Sequence, residues 1–118
     1  EQNGISQRDL LEELSLTPQA FNKLFKGSPI KRAKRRGYLR NAAVALGNKA
    51  DQSALPGLVN ALKEDVEPLV RAHAAWALGV IGGDSARGEL LGALEVETDG
   101  DVLSEIRAAL GIVLDQRP

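Results

Sequence analysis

The tripeptide Ala-Leu-Gly stands at positions 45–47, 77–79 and 109–111, each copy 32 residues after the last. The same offset pairs Ala42 with Ala74, Ala54 with Ala86, Leu58 with Leu90, Ala61-Leu62 with Ala93-Leu94, and Val70 with Val102. Coincidence of this many positions at one spacing identifies an internal repeat. A unit of that length holds two helices and their turns. Such a unit cannot bury its own apolar face, so neighbouring units must stack.

The local signals agree with helix pairs. In the second unit Pro68 sits where a first helical turn tolerates it. Leu69, Ala72, Trp76, Leu78 and Val80 then form a broad apolar stripe that Gly82-Gly83 terminates. Asp84 or Ser85 is expected to cap the partner helix, with Leu90, Leu91 and Leu94 facing inward. The first unit repeats this plan from Ser28 to about Gly47 and from about Ser53 to Leu62. A single third helix runs from near Asp101 toward Leu114. Ahead of the repeats, two short helices are expected at about Gln7 to Leu14 and Pro18 to Lys26, the second with Thr17 as its N-cap and Pro18 at its first position. No strand pattern is visible. The expected fold is therefore all-α, a short α-solenoid of HEAT-like helix pairs with a two-helix N-terminal extension. It forms one domain over 1–118, divided into N-terminal helices 1–27, repeat one 28–66, repeat two 67–99 and a capping helix 100–118.

Composition narrows the chemistry. Aromatic residues are 3% of the chain, so the core must come mainly from Leu, Val, Ile and Ala. There is no cysteine, which excludes disulfides, thiolate nucleophiles, zinc–thiolate sites and iron–sulfur ligands from this chain. No apolar run is long enough to span a bilayer, and no secretory signal pattern opens the sequence. Methionine is absent and the first residue is Glu1, as expected of a piece of a longer protein.

The formal net charge of −1 conceals a polarised distribution. Between Leu14 and Ala50 there is no Asp or Glu but nine basic residues, so this stretch alone sets the field that a polyanion meets. Lys31 and Arg35 are four residues apart, as are Arg32, Arg36 and Arg40, so two neighbouring stripes are expected to face outward together. Like charges at that spacing repel, and cations are disfavoured at a helix N-terminus. A sequence that accepts both costs reads as one that places charge for an outside anion. The competing reading is a solvated basic face balanced by acidic groups folded back from elsewhere.

These residues also carry a resemblance. Phe25-Lys-Gly-Ser-Pro-Ile-Lys-Arg32, Lys34-Arg-Arg-Gly37, Leu39-Arg-Asn41 and Ala45-Leu-Gly-Asn48 are similar to the segment that follows the ferredoxin-like part of epoxyqueuosine reductases. Val70-Arg-Ala-His-Ala-Ala-Trp-Ala-Leu-Gly79 resembles that family's next HEAT-type repeat. The resemblance implies a parent that reduces the epoxide of epoxyqueuosine at the wobble position of tRNA. In that family cobalamin and two 4Fe–4S clusters sit in an upstream, cysteine-rich catalytic region, which this chain does not contain. It further implies a monomeric, cytoplasmic protein without membrane association, whose partners are tRNA and its own upstream catalytic domain. The expected RNA-binding residues are Lys26, Lys31, Arg32, Lys34, Arg35, Arg36 and Arg40. No catalytic, cofactor-binding or metal-binding residue is expected here. The alternative is a HEAT-type protein–protein interaction scaffold.

Other candidates read as structural. His73 lacks convergent ligands at helical spacing and is a helix residue rather than a metal ligand. Trp76 occupies the repeat position of Val44 and Ala108, which favours core over base stacking. For Tyr38, helix packing and RNA stacking stand level. Asn41, at a mostly apolar repeat position, reads as a buried amide tying down a loop. Glu12, Glu13 and the carboxylates of 95–101 read as surface and capping groups.

Overall fold

A computed structural model describes residues 6–26 and 31–111, with the side chain of Lys31 left out. Seven α-helices are present among them: α1 (Gln7–Leu14), α2 (Pro18–Leu24), α3 (Lys31–Lys49), α4 (Leu55–Glu64), α5 (Pro68–Ile81), α6 (Asp84–Val96) and α7 (Gly100–Ala109). A 3₁₀ turn, Gln52–Ala54, leads into α4. The described residues contain no strand, so the all-α expectation holds.

Helix starts follow the caps. The Ser6 hydroxyl accepts from the Asp9 N–H at 3.1 Å and the Thr17 hydroxyl from Ala20 N–H at 3.1 Å, each satisfying a donor that the first turn leaves open. Pro68 opens α5, and Gly82 (φ 71°) and Gly83 (φ 96°) end it in a backbone conformation costly for other residues. Neither Asp84 nor Ser85 caps α6. Its N-cap is Gly83, and Asp84 is already the first helical residue. The expected helix start at Ser28-Pro29 and the expected end at Leu114 fall outside the described residues, although α7 itself closes at Ala109.

The helices form two layers. α3, α5 and α7 lie side by side, with α5 in the middle, and α4 and α6 cover one face of that row. Arg32 meets Glu67 while Gly47 lies against Ala77, so α3 and α5 run in the same direction. α1 packs on α3 and α4 and covers the near end of the stack.

Between the layers lies an aliphatic core that includes Leu39, Leu46, Leu58, Leu62, Val70, Leu78, Leu90, Val102 and Ile106. Burial of each large side chain stabilises the fold by roughly 1.5–3 kcal/mol. Three of the four aromatic residues make a separate small cluster. Phe21 stacks on Phe25 with ring centroids 4.4 Å apart, and Tyr38 meets both edge-on at 5.8 and 5.7 Å. Leu91, expected inside, is exposed. The inner face of α6 is fixed by Ala86, Leu90 and Ala93, which turns the next residue after Leu90 toward solvent.

The repeated Ala-Leu-Gly has a physical reason. A Cβ added to Gly47 would stand 3.0 Å from Ala77 Cβ and 2.6 Å from a Trp76 ring carbon. One at Gly79 would stand 2.7 Å from Ala109 Cβ and 3.0 Å from its Cα. The glycine of each copy thus abuts the alanine of the next, and its missing side chain is what lets the two backbones meet. Gly47 does not stop its helix, which continues to Lys49 and ends at Ala50, with φ 53°.

Candidate nucleic-acid interface

The basic helix α3 separates into three kinds of cation once side chains are placed. Arg35 is not on the outer surface. It is 5% exposed, its guanidinium grips Asp65 at 2.7 and 3.2 Å, and it also donates to the Leu16 carbonyl at 2.8 and 3.1 Å. The expected outward position of Arg35 is therefore corrected. The core-facing line of α3 runs through Leu39, Ala42, Ala43 and Leu46, and stepping back four residues from Leu39 lands on Arg35. The paired carboxylate makes burial of that charge tolerable.

Arg32 is the second kind. Its side chain is exposed but held by Glu67 in a forked pair, Nε to Oε2 at 2.7 Å and Nη2 to Oε1 at 3.2 Å. The Arg32 hydrogen bond holds the Glu67 carboxyl below the usual carboxylate range, against the upward push of burial, and Glu67 in turn raises Arg32. Acidic groups folded back from the loop ahead of α5 thus neutralise two of the nine cations, as the competing reading of the charge supposed.

The third kind faces solvent. Lys34 is exposed and its Nζ lies 5.9 Å from the centre of the Phe25 ring, within cation–π range. Lys23 and Lys26 on and just after α2 are exposed as well. Arg36 and Arg40 are partly exposed on the opposite flank of α3, toward α5. Arg40 Nε donates to Asn41 Oδ1 at 3.2 Å. Asn41 is exposed and not the buried loop tie expected of it, because it lies across the helix from Leu39 and Ala43.

Tyr38, 38% exposed, packs edge-on against α2. Burial raises its phenol, with the charge of Glu13 and a hydrogen bond to it acting in the same direction. His73 Nδ1 lies 2.8 Å from the Leu69 carbonyl one turn back, as a helix residue would. Among the described residues no three His, Asp or Glu side chains converge in a way that could hold a metal ion, and no helix is long and apolar enough to cross a membrane.

Sequence reasoning missed the groups that anchor this end. Glu97 pairs with Arg71 at 2.9 and 3.0 Å and is nearly buried, where a surface carboxylate was expected. Burial pushes its carboxyl up, but hydrogen bonds from Arg71 and from the Asp99 and Thr98 backbone bring it below the ordinary range. The signal was present: Asp65-x-Glu67 recurs at the repeat offset as Glu97-x-Asp99.

Comparison with known proteins places this geometry. A model of HEAT repeats matches residues 32–111. The epoxyqueuosine reductase of Bacillus cereus is 40% identical over 78 residues, which is 66% of this chain and 20% of that protein. An uncharacterised protein of Geobacillus stearothermophilus is 48% identical over 67 residues, 57% of this chain and 31% of its own length. A crystal structure of epoxyqueuosine reductase with an epoxyqueuosine-modified tRNA-Tyr stem loop superposes with a TM-score of 0.73 at 33% identity, covering 87% of this chain and 28% of that one. The chain thus spans about a fifth of the Bacillus cereus relative's length. It belongs to the HEAT-repeat family, and the version of that fold it resembles is the one carried by epoxyqueuosine reductases.

Proposed function

We propose that this chain is the tRNA-facing helical-repeat part of an epoxyqueuosine reductase, which converts epoxyqueuosine to queuosine at the tRNA wobble position. The observation that carries the reading is the solvent-facing set Lys26, Lys34, Arg36 and Arg40, none of them in an ion pair among the described residues, with Arg32, held by Glu67, beside them. The solved relative with a tRNA stem loop supports the choice of anion. Arg35 leaves the proposed set because its charge is committed to Asp65. Lys31 remains in it on sequence grounds alone.

The residues present do not fit the cofactors of that reaction. With no cysteine in the sequence, this chain offers no thiolate for an iron–sulfur cluster. The chemistry, with the cobalamin and two 4Fe–4S clusters that the family implies, is assigned to a catalytic region outside these residues. Here the role is to hold the phosphate backbone in register, since phosphate contacts position a nucleic acid without reading its sequence.

Fluorescence anisotropy with a tRNA anticodon stem loop tests the proposal. About three to five neutralised phosphates give a log–log salt slope of roughly −2 to −4. Replacing Arg36 and Arg40 with Ala should weaken binding and flatten that slope by up to about two units. Replacing the exposed Arg8 and Lys63 should change little. Equal losses from the two pairs, or salt-independent binding, would remove α3 as the RNA surface. The second reading, a protein-interaction scaffold, would then lead. It draws on exposed Leu91 and Val96 of α6, the latter beside a groove of about 540 Å³ between α4 and α6.

A further inference from the structure

We infer that the cavity beside Trp76 is a binding site for an unpaired nucleobase, at the end of the cationic flank of α3. The inference rests on the reading of that flank as a phosphate surface and extends it from charge to base recognition. The cavity, of about 260 Å³, is lined by Val44 from α3, Ala72, His73 and Trp76 from α5, and Glu105 from α7. It opens on the face of the α3–α5–α7 row away from the α4–α6 layer.

Its position relative to the cations follows from helical spacing. Arg36, Arg40 and Val44 succeed one another at four-residue steps, about 6 Å apart along the axis. They follow the flank of α3 that meets α5, because Gly47, three residues beyond Val44, lies against Trp76 and Ala77. Two guanidinium groups therefore lie along the same flank of α3 as the cavity with the aromatic ring. Trp76 is wedged on one side against Gly47 and remains half-buried, with its other surface lining the cavity.

The polar groups suit a base rather than a phosphate. His73 Nδ1 is turned to the Leu69 carbonyl, so it carries the proton, and in the neutral ring Nε2 is left as an acceptor. Glu105 supplies a carboxylate acceptor, which repels phosphate but accepts from an exocyclic amine. The indole N–H supplies a donor. A cavity of this size takes one ring system, and stacking on an indole is tolerant of which base enters.

Trp76 is the only tryptophan, so its fluorescence reports the site directly. The 118-residue chain is titrated with hexa-adenylate RNA and with an abasic ribose-phosphate strand of equal length and charge. The expected result is quenching by hexa-adenylate alone, with affinity about five- to a hundredfold above that of the abasic strand. Trp76→Leu should erase the difference between the two strands, and Trp76→Phe should keep part of it, with circular dichroism showing both variants folded. Equal affinity for both strands without quenching, but lost in the Arg36→Ala/Arg40→Ala variant, overturns the base site and leaves the phosphate surface standing. Quenching by hexa-adenylate that survives that double variant keeps the base site and removes the phosphate surface. Binding of neither strand overturns the base site outright.

Discussion

The loops that lead into α5 and into α7 are the same loop one repeat apart, yet they hold their neighbours differently. In both, the first carboxylate accepts a backbone N–H two residues on, Asp65 from Glu67 and Glu97 from Asp99, each at 3.0 Å. In both, that carboxylate also takes a guanidinium, from Arg35 or from Arg71. They part at the second carboxylate. Asp99 is short and caps its own helix, accepting from Asp101 and Val102. Glu67, one methylene longer, makes no side-chain cap to α5 and reaches across to Arg32. At this one pair of equivalent positions, the shorter carboxylate caps the helix it precedes and the longer one pairs with the helix of the preceding repeat.

The sharpest way to break the comparison is at the buried arginines. Arg35→Ala leaves the Asp65 carboxylate without its guanidinium partner, and should cost about 3–5 kcal/mol in urea unfolding. Arg71→Ala should cost somewhat less, since the Arg71 side chain is 17% exposed against 6% for the Arg35 side chain. Replacing Arg35 and Asp65 together with Leu should recover most of the loss. Equal, small effects from both single changes would show that neither loop depends on its ion pair.

Next come the close approaches. Gly79→Ala drives a methyl group into the Ala109 backbone, and should lower stability by about 1–3 kcal/mol in thermal unfolding. Gly47→Ala should cost less, because part of its clash is with the Trp76 ring.

Acid should weaken both junctions. The carboxyls of Glu67 and Glu97 lie below their ordinary range in the folded chain, so the unfolded chain binds more protons as pH falls. Their contribution is complete above about pH 4.3, the unfolded value, and is lost progressively as pH drops through the folded values. Glu67→Gln should flatten the stability–pH curve in that range, measured by denaturant midpoint. An unchanged curve would mean that the Arg32 pair adds nothing.

The smallest effect sharpens a difference at the helix ends. Ala50 and Gly82 are equivalent, and both have positive φ, 53° and 71°. Only a glycine takes a positive φ without a steric penalty. Ala50→Gly should therefore raise stability by up to about 1 kcal/mol, read as a higher melting temperature, whereas Gly82→Ala should lower it.

Much of this architecture was legible in the residues. The period shows as identity at a fixed offset, and the Thr17 and Pro68 helix starts and the Gly82-Gly83 stop depend on neighbours within a few positions; the structure keeps them all. What escaped was any feature set by contact across a repeat. A row of cations on one helix does not show which of them the core will claim, and the answer for Arg35 lies 30 residues away at Asp65. Leu91 and Asn41 were misplaced for a related reason. Their types suggest burial, but the buried face belongs to the residues beside them. The solvent exposure of Lys34 and the partial exposure of Arg36 and Arg40 were readable because none of the three is drawn into an ion pair among the described residues.

Asp65 has one further consequence. Its carboxylate receives Arg35, which also holds the Leu16 carbonyl, while its own carbonyl receives Arg71, which holds Glu97. The loops ahead of the first repeat, between the repeats and ahead of the last helix are thus linked through two guanidinium groups. A stack whose units touch only their neighbours can fray from its ends one unit at a time. Here the departure of either end pulls on the same residue in the middle, so amide exchange in the two repeats should report one shared opening event rather than two.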